Sequence, residues 1–221
     1  MHFHLPKPLH GWREFAGEVG IIVLGVLIAL AAESVVEAGQ WRHKVDVVRR
    51  SLLGELANDR ARWEMDVTAA TCARSAIDGL DAWVQTNGTA SPPMSDMNTR
   101  NLYWMHSANW NLATGSQTLD HFPIDEQLAF ASLYDGVAHR QMELTRIMQL
   151  IERVDTLVPF AKDAQGRREL QLTLGDLRGV IDDLLANKGY MKRHFEAVGV
   201  KADRSDFAAD VHASRCVAES S

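Results

Sequence analysis

Cysteine is scarce in this chain of 221 residues: Cys72 and Cys216 are its only two, far apart and without histidines at zinc-ligand spacing. A fold stapled by several disulfides or by zinc is excluded, which leaves one long-range disulfide or two thiols. Proline is absent between Pro8 and Pro92, so a long stretch contains nothing that must break a helix. Basic charge is also short. Lys and Arg number 23 against 29 Asp and Glu, a net charge of -6 with a pI near 5.8. No basic stripe is available to neutralise phosphates, which argues against nucleic acid as a partner. No Gly-x-Ser-x-Gly elbow, phosphate loop, dinucleotide fingerprint or His-Glu-x-x-His motif occurs. The nine histidines are scattered, with His2 and His4 on a terminus that cannot hold geometry. Asp182 and Asp183 are consecutive and point apart on a helix, unlike an acid/base pair. The sequence therefore supplies no catalytic residue, no cofactor site and no metal site.

What the chain does have is an apolar run. From Val19 to Ala32 every residue is apolar or glycine, about 21 Å of helix against a hydrocarbon layer of roughly 30 Å. That length also suits a signal-peptide core, and Ala29-Leu30-Ala31 supplies a small-x-small cleavage pattern. Trp12 and Trp41 favour a retained anchor. As helix they lie about 43 Å apart, the spacing of the two headgroup layers where tryptophan prefers to sit. Val35, Val36, Val45 and Val48 continue a helical pattern beyond the run, so the membrane helix is expected to pass directly into the rest of the protein.

Glu18, Gly25, Ala29 and Ala32 fall within an arc of about 60° on this helix. Small residues let a second helix approach closely, while Val23, Val26, Leu27 and Leu30 lie on the side suited to lipid. Two readings of Glu18 stay open: a carboxylate that reaches interfacial water, or one end of a packing face for another membrane helix.

The residues Gly17-Glu18-Val19, Gly25-Val26-Leu27-Ile28-Ala29-Leu30 and Trp41 resemble the membrane segment of an uncharacterised family of bacterial single-pass proteins. A fainter likeness runs from Thr114 to Tyr134, "TGSQTLDHFPIDEQLAFASLY". The resemblance implies an anchored helical domain directed outward from the cytoplasm, and it brings no catalytic residues with it. The chain departs from that family's more basic tails by using His2, His4 and His10 beside Lys7 and Arg13.

Beyond the anchor, Val45, Val48, Leu52, Leu56, Trp63, Val67, Ala70, Ile77, Leu80 and Val84 recur at helical spacing, with seven-residue gaps at two places. This predicts one long helix, either continuous or interrupted near Ala69, ending in the loop "TNGTASPPMSD". Pro123, Asp125 and Glu126 open a second helix with the stripe Leu128, Ala131, Tyr134, Val137, Leu144, Met148, Ile151, Val154 and Val158, closed by Pro159. A third carries Leu170, Leu174, Leu177, Ile181, Leu184, Met191, Phe195 and Val198. No alternating strand pattern appears. The predicted architecture is all-α, a single N-terminal transmembrane helix continuing into an antiparallel bundle of three or four helices. Its divisions are a tail at 1–14, a transmembrane helix at 15–37, a bundle at 38–198 with a loop at 86–97 and an aromatic segment at 98–122, and a C-terminal tail at 199–221. In the aromatic segment, Tyr103, Trp104, His106, Trp110 and Asn111 form either a ligand surface or a cap over the bundle.

Lys7 and Arg13 precede the membrane segment and Arg42, Lys44, Arg49 and Arg50 follow it, a bias that leans toward a cytoplasmic domain. Long domains translocate regardless of such charges, and an oxidised Cys72–Cys216 pair would suit the periplasm. The expected location is the bacterial inner membrane with a periplasmic domain. The leading functional expectation is a scaffold that assembles with another membrane protein or with itself. The alternatives are a periplasmic ligand-sensing domain acting through a partner, or an energy-coupling accessory subunit that uses Glu18.

Overall fold

The computed structural model describes residues 11–86, 92–93 and 102–205. The protein is all-α, with no strand among the described residues. Among the described residues four helices follow in order, α1 (Trp12–Gln85), α2 (Ala108–Thr114), α3 (Ile124–Leu157) and α4 (Ala164–Ala197), with 3-10 turns at Leu119–His121 and Val158–Phe160. Two compact units meet in sequence at Val47 and Val48, and α1 contributes residues to both.

The first unit holds the apolar run. Ile21 is 75% exposed and Val35 72%, and no residue of the most apolar 18-residue window, mean hydropathy 2.6, is buried. By length and composition this stretch of α1 suffices to cross a membrane. At its start Trp12 stands with its ring 5.9 Å from that of Phe15. Further on, the Trp41 indole N–H donates to Glu37 Oε1 at 3.3 Å while Lys44 Nζ lies 4.3 Å from the ring centroid.

The second unit is built by α1, α3 and α4. Ile77, Leu80 and Val84 of α1 share one apolar core with Ile147, Leu150, Ile151 and Val154 of α3 and Leu170, Leu174, Leu177, Ile181 and Leu184 of α4. Contacts fix the directions. Trp63 meets Phe195, Arg74 pairs with Asp182, and Arg178 reaches Asp78 and Asp81, so numbering rises on α1 as it falls on α4. Arg49 pairs with Glu126, Glu55 with Tyr134 and Asp66 with Arg140, so α1 and α3 run the same way. Thus α4 runs antiparallel to both α1 and α3, which are parallel to each other.

One alternative left open by the sequence is resolved and one expectation is corrected. No interruption occurs near Ala69: alanine is the strongest helix former, and the Thr68 and Thr71 hydroxyls donate to the carbonyls of Glu64 and Val67 at 3.0 and 2.9 Å, which keeps them inside the helix. The buried face of α3 is also wider than the predicted stripe. Leu128, Ala131 and Met148 are exposed, while Phe130, Leu133, Ile147 and Leu150 are buried. The reason is that α3 packs against more than one neighbour, with α1 and α4 in the same core and the Phe122 ring edge-on to Phe130 at 6.3 Å.

Both ends of α4 follow from local chemistry. Asp163 Oδ1 caps the start by accepting from the Gly166 N–H at 2.7 Å. A Cβ at Gly166 would stand 2.0 Å from the Phe160 carbonyl oxygen, so only glycine fits that turn. At the other end Gly199 takes φ +70°, and the Val200 and Gly199 N–H groups return to the carbonyls of Phe195 and Glu196, both at 3.0 Å. These are the paired bonds of a Schellman stop, with buried Val200 as its apolar companion. The chain then turns back along α1. The Val200 carbonyl accepts from Arg60 Nη1, the Asp203 N–H donates to the Ala57 carbonyl, and Arg204 pairs with Glu64.

Candidate functional site: a polar seam between α1, α3 and the aromatic segment

Glu55, Asp59 and Asp66 stand on one side of α1, separated by four and seven residues, so all three carboxylates face the same neighbour. That neighbour is the segment 102–109, outside any helix as far as Ser107 and then entering α2. Its backbone N–H groups donate in turn to the acids: Tyr103 to Asp66 Oδ1 at 3.0 Å, His106 to Asp59 Oδ1 at 2.9 Å, and Asn109 to Glu55 Oε2 at 2.9 Å. From the other side Gln141 Nε2 of α3 donates to the Met105 carbonyl at 2.7 Å. The segment is a strap fastened through its main chain.

Cations complete the seam. Arg62 Nη1 donates to Asp59 Oδ1 at 3.0 Å, and Arg140 Nη2 to Asp66 Oδ2 at 3.2 Å. The Tyr134 hydroxyl donates to Glu55 Oε1 at 2.8 Å, and its ring lies stacked under Trp110 with centroids 4.8 Å apart. Asp59 and Asp66 have no exposed surface at all. Burial pushes the Asp59 carboxyl up from 3.8 to about 7, against the opposing pull of the His106 N–H and the Arg62 charge. Asp66 rises to about 6 for the same first cause, opposed by Arg140 and by the Tyr103 N–H. The Tyr134 hydroxyl is driven well above its ordinary range by burial and then by its bond to Glu55, so it stays protonated. The His106 imidazole is lowered by burial and by the Arg62 charge.

Seven residues of helix separate Asp59 from Asp66 by about 10 Å, too far for the two to share a proton. They work as separate buried acceptors, each holding one turn of strap.

The residues singled out in the sequence have separate fates. Trp110 rests on Tyr134, Tyr103 packs against Ala61 and Met65, and His106 and Asn111 are exposed. Trp104, 46% exposed, borders an open groove of about 620 Å³ along α3 with Met148, Glu152 and Asp155. Glu18, Gly25, Ala29 and Ala32 are all exposed, and a Cβ at Gly25 would touch nothing within 4 Å. Cys72 is disulfide-bonded, and Cys216 lies outside the described residues. Among the described residues no group of three or more His, Cys, Asp or Glu is placed to hold a metal ion.

Glu55, Asp59, Asp66 and Arg140 escaped the sequence reading, and Tyr134 was read only as a member of the α3 stripe, yet a signal was present. One seven-residue gap in the α1 stripe, from Leu56 to Trp63, holds Asp59 three residues after its start, and Asp66 stands at the same step after Trp63. Both acids occupy core positions, where an unpaired charge is too costly to be accidental.

Comparison with protein-family models, curated proteins and solved structures finds no match to this chain.

Proposed function

We propose that this protein is a single-pass membrane protein whose helical domain works by association with another membrane protein or with its own copies. The observation that carries the reading is the bare apolar length of α1. Eleven side chains from Val19 to Val36, all Val, Ile or Leu, are at least 40% exposed. At about 1 to 2 kcal/mol for each half-exposed aliphatic side chain, leaving them in water would cost about 10 to 20 kcal/mol. A bilayer removes that cost. Trp12 and Trp41 serve as the interfacial anchors, and the small-residue face of Glu18, Gly25, Ala29 and Ala32 is the surface for a second helix.

The bacterial inner membrane with a periplasmic domain is the location we favour. The bonded state of Cys72 supports it, because disulfides persist in oxidising compartments. The alternative of a ligand surface on the aromatic segment draws on Trp104 and its groove alone, since Trp110 is engaged with Tyr134.

Alkaline extraction of cell membranes should leave the full-length protein in the pellet, and crosslinking in mild detergent should give a dimer or a complex that Gly25→Leu abolishes. Release of the chain into the soluble fraction would end the anchor reading. A monomer indifferent to Gly25→Leu would end the association reading. Labelling with a thiol reagent that cannot cross membranes, before and after reduction, reports sidedness.

A further inference from the structure

Beyond the Schellman stop of α4 the chain is fixed to the outer side of α1. The Asp203 N–H donates to the Ala57 carbonyl at 2.9 Å, and Arg204 Nη2 meets Glu64 Oε2 at 2.5 Å. Ala202 packs against buried Ala61 and Met65, and Tyr103 of the strap packs against the same two residues. The C-terminal return and the strap therefore share one small apolar cluster, separate from the core between α1, α3 and α4. At 100° per residue Ala57, Ala61, Glu64, Thr68 and Cys72 fall within an arc of about 80° on α1. Cys72, half-buried and disulfide-bonded, thus stands beyond Glu64 on the side where the return is already seated.

That bond needs a second sulfur, and Cys216 is the only other cysteine in the sequence. Glu64 and Cys72 are eight residues apart, about 12 Å of helical rise. From Arg204 to Cys216 there are twelve residues, which reach about 40 Å when extended and about 18 Å as helix. Either length exceeds the gap, so Arg204 can stay on Glu64 while Cys216 meets Cys72. A second copy of the chain also carries a Cys216. A tether of twelve residues, however, keeps the chain's own sulfur at about millimolar local concentration, which favours closure within one chain.

We propose that the C-terminal tail is a redox-sensitive clasp: Cys216 bonds to Cys72 of the same chain, pins the return on α1 and thereby secures the strap at Tyr103. To form the bond each thiol gives up one proton and one electron. A disulfide oxidant accepts both pairs and leaves as a dithiol, and a dithiol reductant reverses the exchange. With the bond open, the return is held through Arg60, Ala57 and Glu64, and the Arg204 side chain in the last of these contacts is 55% exposed. Such an end frays readily. When Ala202 lifts away, Tyr103 loses a neighbour over Ala61 and Met65, and the Tyr103 N–H leaves Asp66 more often. The clasp rests on no part of the membrane reading, because every residue in it belongs to the second unit.

Peptide mapping by mass spectrometry tests the pairing, on the full chain in mild detergent after equilibration with oxidised glutathione. The expected product is a monomeric chain whose Cys72 and Cys216 peptides are linked. Hydrogen exchange then reads the coupling. Reduction with a dithiol, and separately Cys216→Ser, should speed exchange at residues 102–109 about tenfold or more, while residues 170–184 of α4 stay unchanged. Cys216→Ser alters the tail alone and leaves the core of the bundle intact, and reduction of that variant should add nothing further. Two free thiols after oxidation, a bond joining two chains, or strap exchange that is equal in oxidised and reduced protein would overturn the proposal.

Discussion

Replacing Asp59 by Asn should change how the protein's stability depends on pH, and the size of that change can be worked out from the seam. Asn keeps an oxygen for the His106 N–H and removes the titrating group. Its carboxyl is raised by burial from 3.8 to about 7, with Glu55 adding to the rise and Arg62 and His106 opposing it. Between these values the folded state holds a proton that the unfolded state has released. Stability from this group is therefore complete below about pH 4 and is lost as pH rises toward 7. From pH 4.5 to 7.5 the loss covers about 2.5 units at 1.36 kcal/mol each, or about 3 kcal/mol. Asp66 adds a loss of the same sign that ends near pH 6, and it is common to wild type and variant. The difference between wild-type and Asp59→Asn unfolding free energies should thus shift by about 3 kcal/mol across the window, with wild type falling faster. Denaturant unfolding of the detergent-solubilised chain, followed by tryptophan fluorescence at several pH values, measures it. Parallel curves, or a wild type that gains on the variant as pH rises, would refute the account of a carboxylate forced toward neutrality by burial.

Gly166→Ala should lower stability by about 2 to 3 kcal/mol, because its Cβ collides with the Phe160 carbonyl oxygen and opens the start of α4; an unchanged denaturation midpoint would contradict the turn geometry. Arg49→Ala removes a two-pronged pair with Glu126, at 2.5 and 2.7 Å, together with the cation over Phe122. A loss of about 1 to 2 kcal/mol is expected in chemical denaturation, and Arg49→Lys should recover only part of it. Glu18→Gln should leave membrane insertion intact by alkaline extraction, since the cost of a boundary carboxylate is relieved by snorkelling; a growth defect with assembly intact would support the energy-coupling alternative instead.

Much of the helical framework could be read in advance. The α4 stripe from Leu170 to Phe195 is buried throughout, and the core members of the α1 stripe, Leu52 to Val84, are buried or half-buried. Both helices show a single apolar face, and period alone finds such a face. On α3 period misled, because a helix with several neighbours buries a broad arc and no narrow stripe describes it. The seam was harder still. Its acids were passed over as ordinary charged residues, since burial depends on contacts with partners up to 79 positions distant, as for Tyr134 and Glu55. The role of the aromatic segment was hidden for another reason: the groups that fasten it are backbone N–H groups, present at every residue except proline.

The strap meets the three acids of α1 through what nearly all amino acids share, a backbone N–H. At position 106 the exposed side chain can change freely as far as attachment to α1 is concerned, while Tyr103 adds packing on Ala61 and Met65 and Asn109 a side-chain bond to the Ser51 carbonyl; proline is the residue that all three main-chain bonds forbid. Natural drift or directed mutagenesis can therefore remodel the outward chemistry of this surface, Trp104 included, on a fixed mounting. A library randomised at the exposed positions 104 and 106 without proline should yield folded proteins at high frequency, which makes these the places to graft new recognition onto the domain.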